Sequence, residues 1–194
     1  MKRNKNKKAA LIKSVAVIAV IAVIIAIAAA VSYDSLEKSV YPMQYTQLIE
    51  KYAKEYELPV SLVYAVIRTE SSFNPEAVSS ANAKGLMQIT PDTFDWLQTK
   101  TGDKNLAQEE LFDPETAIRY GTFFLRYLTD EFENTEAVLA AYHAGRTRVN
   151  GWLKNAEYSD DGKTLKKIPY ADTASYVATV TSAMEKYQEI YDLQ

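Results

Sequence analysis

Glu70 is the residue whose position in this sequence most clearly suggests acid chemistry. Leu62, Val66 and Glu70 are spaced four apart, so in a helix the carboxylate continues an apolar stripe, whereas Arg68 points away from it. A carboxylate at the end of a buried stripe loses hydration, which raises its pKa toward the range that a general acid needs near neutral pH. The alternative is a helix-end glutamate that reaches solvent or pairs with a base, because structural ion-pair networks also perturb carboxylates.

The segment that follows Glu70 carries groups suited to a sugar ligand. Ser72-Phe73-Asn74-Pro75 should end the helix of Glu70 at an accessible edge. Further on, Gly85 would allow the backbone to approach a ligand closely, and the amide of Gln88 both donates and accepts hydrogen bonds. Taken alone, Met87 would be a core residue and Gln88 a solvated turn residue.

Apolar residues recur every three to four positions after the first forty residues, which predicts an all-α body of about 150 residues, a usual size for one domain. Thr90 and Asp113 each precede a proline and are typical N-caps, and Gly145 suits the end of a helix. Residues 155–167 are charged and loop-like, with room for a small hairpin. We expect helices at 45–57, 59–71, from 91, from 114, from a cap at Thr135 to 145, at 147–153, and from 173 to the end.

The N-terminal segment has the composition of a membrane anchor. Residues 14–31 contain no charge, and about eighteen such residues suffice to cross a bilayer as a helix. We expect a basic cytoplasmic segment at 1–13, a transmembrane signal-anchor at 14–33, a linker at 34–44 and an extracytoplasmic catalytic domain at 45–194. The competing interpretation is a cleaved signal peptide, with Ala28-Ala29-Ala30 as the cleavage site. The domain would then be secreted.

The composition excludes several classes of function. The net charge is −3, but six basic residues precede Asp34, which leaves 16 basic against 25 acidic residues in the remainder. This acidic body argues against nucleic acid as a partner. The absence of cysteine excludes disulfides and thiolate catalysis. The single histidine, His143, has no cluster of ligands beside it, so we expect no metal site and no cofactor.

Four short motifs in order resemble those of a known family, the soluble-type lytic transglycosylases. They are Glu70-Ser71, Gly85-Leu86-Met87-Gln88, Ala141-Tyr142-His143-Ala144-Gly145, and Ile168-Pro169-Tyr170 with Tyr176-Val177. Each motif is weak alone, but the ordered set is specific, and it spans residues 45–184. The resemblance implies a lysozyme-like helical fold with a groove for peptidoglycan glycan strands.

The resemblance also implies a reaction with a single catalytic carboxylate. Glu70 would protonate the glycosidic oxygen between N-acetylmuramic acid and N-acetylglucosamine, then take the proton of the muramyl 6-hydroxyl as it forms a 1,6-anhydro sugar. Most glycosidases need two carboxylates, and Asp92, Asp95 and Asp172 remain candidates for a second. The motif match assigns substrate binding to Ser71, Met87, Gln88, Tyr142, His143 and Tyr176.

Three positions depart from the family pattern. His143 stands where the third motif usually has asparagine, and we expect it to contact substrate. Asn82 replaces a glycine and tolerates the left-handed backbone of a turn, and Asp172 replaces a glutamate and is expected to cap the last helix.

Three functions remain open. They are a lytic transglycosylase, a lysozyme-type hydrolase that shares the fold, and a catalytically idle glycan-binding module. The expected partners are the glycan strand and the membrane, and a wall-assembly or secretion complex is left open.

Overall fold

The computed structural model describes residues 2–103 and 106–193, with side chains from residue 19 onward. The chain forms two compact units, Met1–Pro42 and Met43–Gln194. The first unit consists of helix α1, Lys2–Val40. The side chains of the predicted basic segment, residues 1–13, lie outside the described part.

Helix α1 contains a segment, Ala19–Val40, that is long and apolar enough to cross a membrane, with a mean hydropathy of 2.2 and no part buried in the protein. The helix continues to Val40 through much of the predicted linker, residues 34–44. Lys38 forms an ion pair with Asp34 at 2.8 Å, and such pairs four residues apart stabilise a helix. Local charge pairing therefore favours helix beyond the apolar run.

The second unit is all helical among the described residues, which confirms the predicted fold class. Only two isolated bridges, Val78 with Lys84 and Lys84 with Ile89, have strand-like pairing there. The α-helices begin and end within about three residues of the predicted positions, and the 3₁₀ helix was not predicted. They are α2 Thr46–Glu55, α3 Val60–Ser71, α4 Pro91–Thr101, a 3₁₀ helix Gln108–Phe112, α5 Pro114–Glu131, α6 Thr135–Ala144, α7 Arg146–Leu153 and α8 Ala171–Tyr191.

Helix α3 is the centre of this unit. It packs against α2 and α8, and every residue from 61 to 67 is buried. The predicted apolar stripe is thus only one face of a helix that is enclosed on all sides. The burial ends at Arg68, and residues 68–71 are half-buried. Glu70 therefore lies where the central helix leaves the core.

Two of the four predicted N-caps are confirmed. Thr90 Oγ1 accepts a hydrogen bond from the Thr93 amide, and Asp113 accepts one from the Thr116 amide at 2.8 Å, as predicted. The predicted cap at Thr135 is wrong. Asn134 has the extended backbone of an N-cap, and its Oδ1 accepts from the Ala137 amide at 2.9 Å. Thr135 is already the first helical residue.

The start of α8 also corrects a prediction. The helix begins at Ala171 after Tyr170, so Asp172 lies in its first turn and is not the cap. The Asp172 carboxylate accepts a hydrogen bond from the amide of the next residue, Thr173, at 2.8 Å, and an acid in the first turn is favoured by the helix dipole. Residues 155–167 form turns without strand pairing, so the region is a loop and not a hairpin.

Candidate active site

Glu70 lies in the last turn of α3, beside a cavity of about 260 Å³. The helix stops there because Ser72 and Phe73 both adopt positive φ, 51° and 64°, and Phe73 turns back into the core with 4% exposure. The chain thus leaves the end of α3 open to the cavity. Its lining consists of Glu70, Ser79, Ala81, Ala83, Gln88, Ile89, Thr90, Thr93, Phe124, Tyr142 and His143.

Burial raises the pKa of Glu70 from its ordinary 4.5 to about 7, and the nearby hydroxyl of Tyr176 opposes part of this rise. A carboxyl that loses hydration without a compensating cation is stabilised in its neutral form. At neutral pH, comparable fractions of Glu70 are protonated and ionised. The side chain can therefore both donate and accept a proton in one reaction cycle.

The segment between α3 and α4 is tied to the end of α3. Ser71 Oγ donates to the carbonyl oxygen of Leu86 at 2.8 Å. Gln88 adopts a positive φ of 49°, and its Nε2 donates to the carbonyl oxygens of Ala77 and Gly85, both at 3.1 Å. Ser71 and the Gln88 amino group thus hold the loop, while Gln88 also lines the cavity.

Gly85 allows a close approach, but to the protein itself and not to a ligand. A Cβ atom at Gly85 would lie 1.9 Å from the carbonyl oxygen of Leu111, and its φ is +74°. The segment with Gly85 is therefore pressed against the 3₁₀ helix. This corrects the expectation that the glycine makes room for a sugar.

Met87 is fully buried, and its side chain fills the space left by the missing side chain of Gly121. The prediction that Met87 lines a subsite is therefore not reproduced by its side chain. Its carbonyl oxygen accepts a hydrogen bond from the Tyr142 hydroxyl at 2.7 Å. Met87 thus connects the second and third motifs through its backbone.

Two tyrosines approach Glu70 from α6 and α8. Burial and the charge of Glu70 raise the pKa of Tyr142 and of Tyr176 well above the ordinary value, so both hydroxyls stay neutral. Tyr176 is 8% exposed, and its hydroxyl finds no hydrogen-bonding partner at normal geometry among the described residues. The Tyr176 hydroxyl therefore lies near the Glu70 carboxyl but does not hold it in one orientation.

His143 lies on the open side of this group. Its ring stacks on Tyr176 with centroids 4.5 Å apart, and its Nδ1 shares a hydrogen bond with Thr173 Oγ1 at 3.2 Å. The ring is exposed and lines the cavity. Contacts with α8 therefore fix the His143 ring on one side, and its other side is accessible from the cavity.

The structure thus brings Gln88, Tyr142 and His143 together with Glu70 in one cavity, and it places Ser71, Met87 and Tyr176 behind them. Sequence reasoning missed several lining residues, although it had placed Thr90 at a helix cap. A cap residue marks where a helix begins and does not show that a cavity lies beside it. The lining residues that it did not assign to the site are Ser79, Ala81, Ala83, Ile89, Thr90, Thr93 and Phe124.

Glu70 is the only carboxylate among the described residues that line this cavity. Asp95 accepts a hydrogen bond from Gln108 Nε2 at 3.4 Å on the exposed side of α4, and Asp172 is engaged with its own helix start. Asp92 lines a neighbouring cavity. Each candidate for a second acid therefore lies outside the Glu70 cavity.

Comparison with known proteins identifies the family. Residues 47–165 match the family model described as "Transglycosylase SLT domain". This chain belongs to that family. The matched residues include Glu70 and the second and third motifs, and they end before α8.

Relatives of this SLT-domain chain include a soluble and a membrane-bound type. It is 36% identical over 151 residues to the "Soluble lytic murein transglycosylase" of Escherichia coli K12, which covers 76% of this chain and 23% of the relative. It is 31% identical over 167 residues to "Membrane-bound lytic murein transglycosylase C" of Serratia proteamaculans, which covers 75% of this chain and 47% of the relative. The chain thus spans about a quarter to a half of the length of these relatives.

Solved structures of the family share the fold of the second unit. The 70 kDa soluble lytic transglycosylase of Escherichia coli matches with a TM-score of 0.70 and 32% identity over 79% of this chain and 25% of that one. A second match is an inactive variant of the Pseudomonas aeruginosa lytic transglycosylase Slt, in which glutamine replaces a glutamate. Its TM-score is 0.68 and its identity 29%, over 79% of this chain and 25% of that one. The lysozyme-like helical fold implied by the resemblance is confirmed.

Proposed function

We propose that this protein is a peptidoglycan lytic transglycosylase, which cleaves the β-1,4 bond between N-acetylmuramic acid and N-acetylglucosamine without water. The observation that carries the proposal is the isolated carboxyl of Glu70, whose pKa is raised to about 7 beside an open cavity. The names of the relatives as lytic murein transglycosylases support the proposal. So does the inactive glutamate-to-glutamine variant of a similar enzyme.

The reaction uses Glu70 twice. The protonated carboxyl donates its proton to the glycosidic oxygen as the bond from this oxygen to the muramyl C1 breaks, and the bonding electrons leave with the oxygen. The muramyl N-acetyl group stabilises the positive charge at C1. The Glu70 carboxylate then accepts the proton of the 6-hydroxyl as O6 bonds to C1, which closes the 1,6-anhydro ring and restores the acid.

The neighbours of Glu70 suit this cycle. The neutral hydroxyls of Tyr142 and Tyr176 add no charge that would shift Glu70 to one fixed protonation state. Gln88 and His143 line the open side of the cavity, where an amide and an imidazole bind the acetamido and hydroxyl groups of a sugar. A hydrolase with two carboxylates separated by about 5 to 9.5 Å would need a second acid in this lining.

The products of digestion test this proposal. We expect the full chain in detergent, incubated with purified peptidoglycan, to release muropeptides whose muramyl ends are lighter by one water than a reducing end. The mass difference arises because O6 replaces water as the nucleophile. Mass spectrometry of the released fragments measures it. Reducing ends would identify a lysozyme-type hydrolase, and a folded protein that binds the glycan without releasing fragments would be a binding module.

We further propose that α1 anchors the protein in the cell membrane as a single span, with the basic N-terminus in the cytoplasm and the catalytic unit outside. The apolar segment Ala19–Val40, the lysines that precede it and the membrane-bound type among the relatives support this topology. An association with a wall-assembly or secretion complex stays a prediction.

Cell fractionation tests the anchor. We expect the full chain in the membrane fraction, with its catalytic unit digested by protease added outside spheroplasts, because the apolar segment is long enough to span the bilayer. A variant whose residues 1–33 are replaced by a cleavable signal peptide should instead be soluble and outside the cell. Protection of the catalytic unit in intact spheroplasts would contradict the topology. A full chain that loses its N-terminal segment and becomes soluble would show cleavage near Ala28–Ala30.

A further inference from the structure

The buried hydroxyl of Thr173 has one hydrogen-bonding partner in the part of the chain that the structure describes. Thr173 lies in the first turn of α8 and is 1% exposed, so solvent is not available to it as an alternative partner. The partner is Nδ1 of His143, at 3.2 Å. His143 is the only histidine in the sequence and lines the cavity of Glu70. The pair therefore connects a buried position of α8 to the site.

The hydroxyl of Thr173 determines which nitrogen of the neutral His143 ring carries the proton. A hydroxyl has a single hydrogen, and a buried one that finds no acceptor is destabilising. If Nδ1 carried the proton, it would donate to Oγ1, and the hydroxyl hydrogen would have no acceptor among the described residues. If Nδ1 is unprotonated, it accepts the hydroxyl hydrogen, and the ring proton lies on Nε2. Only the second arrangement satisfies both groups.

The stack of His143 on Tyr176 fixes the direction of Nε2. The ring centroids lie 4.5 Å apart and the ring planes are inclined by 28°, while the bond to Thr173 holds Nδ1 toward α8. Because the two nitrogens lie on different edges of the imidazole, Nε2 faces away from Thr173. The ring is exposed and lines the cavity, so the hydrogen on Nε2 is available to a ligand there.

Two other polar residues of the cavity use their hydrogens on the protein itself. Gln88 Nε2 donates to the carbonyl oxygens of two loop residues, both at 3.1 Å, which leaves its Oε1 as an acceptor for a ligand. The Tyr142 hydroxyl donates to a backbone carbonyl oxygen at 2.7 Å. A donor at His143 Nε2 therefore complements the acceptor that Gln88 presents in the same cavity.

Resting on the proposed glycan cleavage, we propose that Thr173 is a positioning residue. It holds neutral His143 with the proton on Nε2, so that the imidazole donates a hydrogen bond to a carbonyl or hydroxyl oxygen of the glycan. A ring with its proton on Nδ1 would present a lone pair to the same oxygen. The third motif of the family usually has asparagine at this position, and an amide offers N–H groups without a choice of tautomer. The requirement for Thr173 is thus specific to histidine.

The single histidine makes the tautomer measurable by nitrogen NMR of the full chain in detergent, with isotope-labelled histidine and at a pH where histidine is neutral. We expect a proton on Nε2 and none on Nδ1. Thr173→Val removes the hydroxyl at nearly constant shape and should give a mixture of the two tautomers. Thr173→Ser keeps the hydroxyl and should retain the wild-type spectrum.

Thr179→Val is the matched control for the spectrum. The Thr179 hydroxyl donates to the Ser175 carbonyl oxygen at 2.8 Å on the exposed side of α8, so its loss should leave the His143 signals unchanged. Thermal unfolding shows that each variant is folded. A wild-type proton on Nδ1, or a Thr173→Val spectrum identical to that of the wild type, would overturn the proposal.

The kinetics of peptidoglycan digestion test the donor. We expect His143→Phe, which keeps a ring on Tyr176 but has no nitrogen, to raise the KM about threefold to tenfold, as loss of one neutral hydrogen bond does. Thr173→Val should raise the KM about twofold, because about half of the rings would then lack a proton on Nε2. In the His143→Phe background, Thr173→Val should add no further loss. An equal loss in both backgrounds would show a purely structural role for Thr173.

A soluble probe separates this proposal from the proposed activity. An uncharged β-1,4-linked N-acetylglucosamine oligomer, added to the full chain with Glu70→Gln, should shift the Nε2 signal of His143. If it does so but the wild type releases no fragments from peptidoglycan, the role of Thr173 and His143 stands and the lytic activity does not. If the wild type cleaves peptidoglycan and the bound oligomer leaves the Nε2 signal unchanged, the donor role is wrong.

Discussion

Replacing Glu70 with glutamine will lower the rate of peptidoglycan cleavage by about 10³-fold, within the usual range for loss of a general acid–base group. Glutamine has nearly the same shape but neither donates an acidic proton to the glycosidic oxygen nor accepts one from the 6-hydroxyl. Affinity for the strand should change little, since the lining of the cavity stays the same. The rate of release of soluble muropeptides from purified peptidoglycan measures the effect.

Glu76→Gln is the control for this result. Glu76 is exposed beyond the turn that ends α3, and we expect its variant to retain wild-type activity. The wild type should also lose activity as pH rises above about 7, because the first step needs the protonated form of a group whose pKa is about 7. A Glu70→Gln variant with more than about a tenth of the wild-type rate would rule out the two-step role.

Replacing Gly85 with alanine will destabilise the second unit by about 2 to 6 kcal/mol, because overpacking and a left-handed backbone each cost about 1 to 3 kcal/mol. The new Cβ would lie 1.9 Å from the Leu111 carbonyl oxygen at a φ of +74°. The segment that contains Gly85 cannot move away freely, since the Gly85 amide donates to the Ala77 carbonyl oxygen at 2.9 Å. Urea unfolding of the full chain in detergent measures the loss.

Gly102→Ala separates the two causes. Gly102 also has a positive φ, +82°, but a Cβ there would meet no atom within 4 Å. Its variant should therefore lose only the backbone part, about 1 to 3 kcal/mol. Equal losses of unfolding free energy in the two variants would show that the contact between the new Cβ and the Leu111 carbonyl oxygen does not contribute to the loss.

The helices of the catalytic unit could be predicted because their signals are local. The proline-preceding caps at Thr90 and Asp113 mark two helix starts, and both were correct. The start of α6 was displaced by one residue because Asn134 and Thr135 are both good caps and only the backbone angles distinguish them. The burial of every α3 residue from 61 to 67 could not be predicted, because an apolar stripe shows one contact face and not the number of neighbouring helices.

The site was predictable to the extent that its residues lie in ordered motifs. Those motifs pointed to Glu70, Gln88, Tyr142 and His143, which share one cavity. The partners of Gly85 and Met87 could not be inferred, because Leu111 and Gly121 come from distant parts of the chain.

The raised pKa of Glu70 couples folding to proton uptake. Between pH 4.5 and about 7 the folded protein holds a proton that the unfolded chain releases, so stability falls as pH rises through this window. At about 1.4 kcal/mol per pKa unit, the loss reaches about 3 kcal/mol above pH 7 and is absent below the ordinary pKa. The side chain to which we assign the proton transfers thus weakens the fold at neutral pH. A descendant that lost the acid would become inactive and more resistant to unfolding.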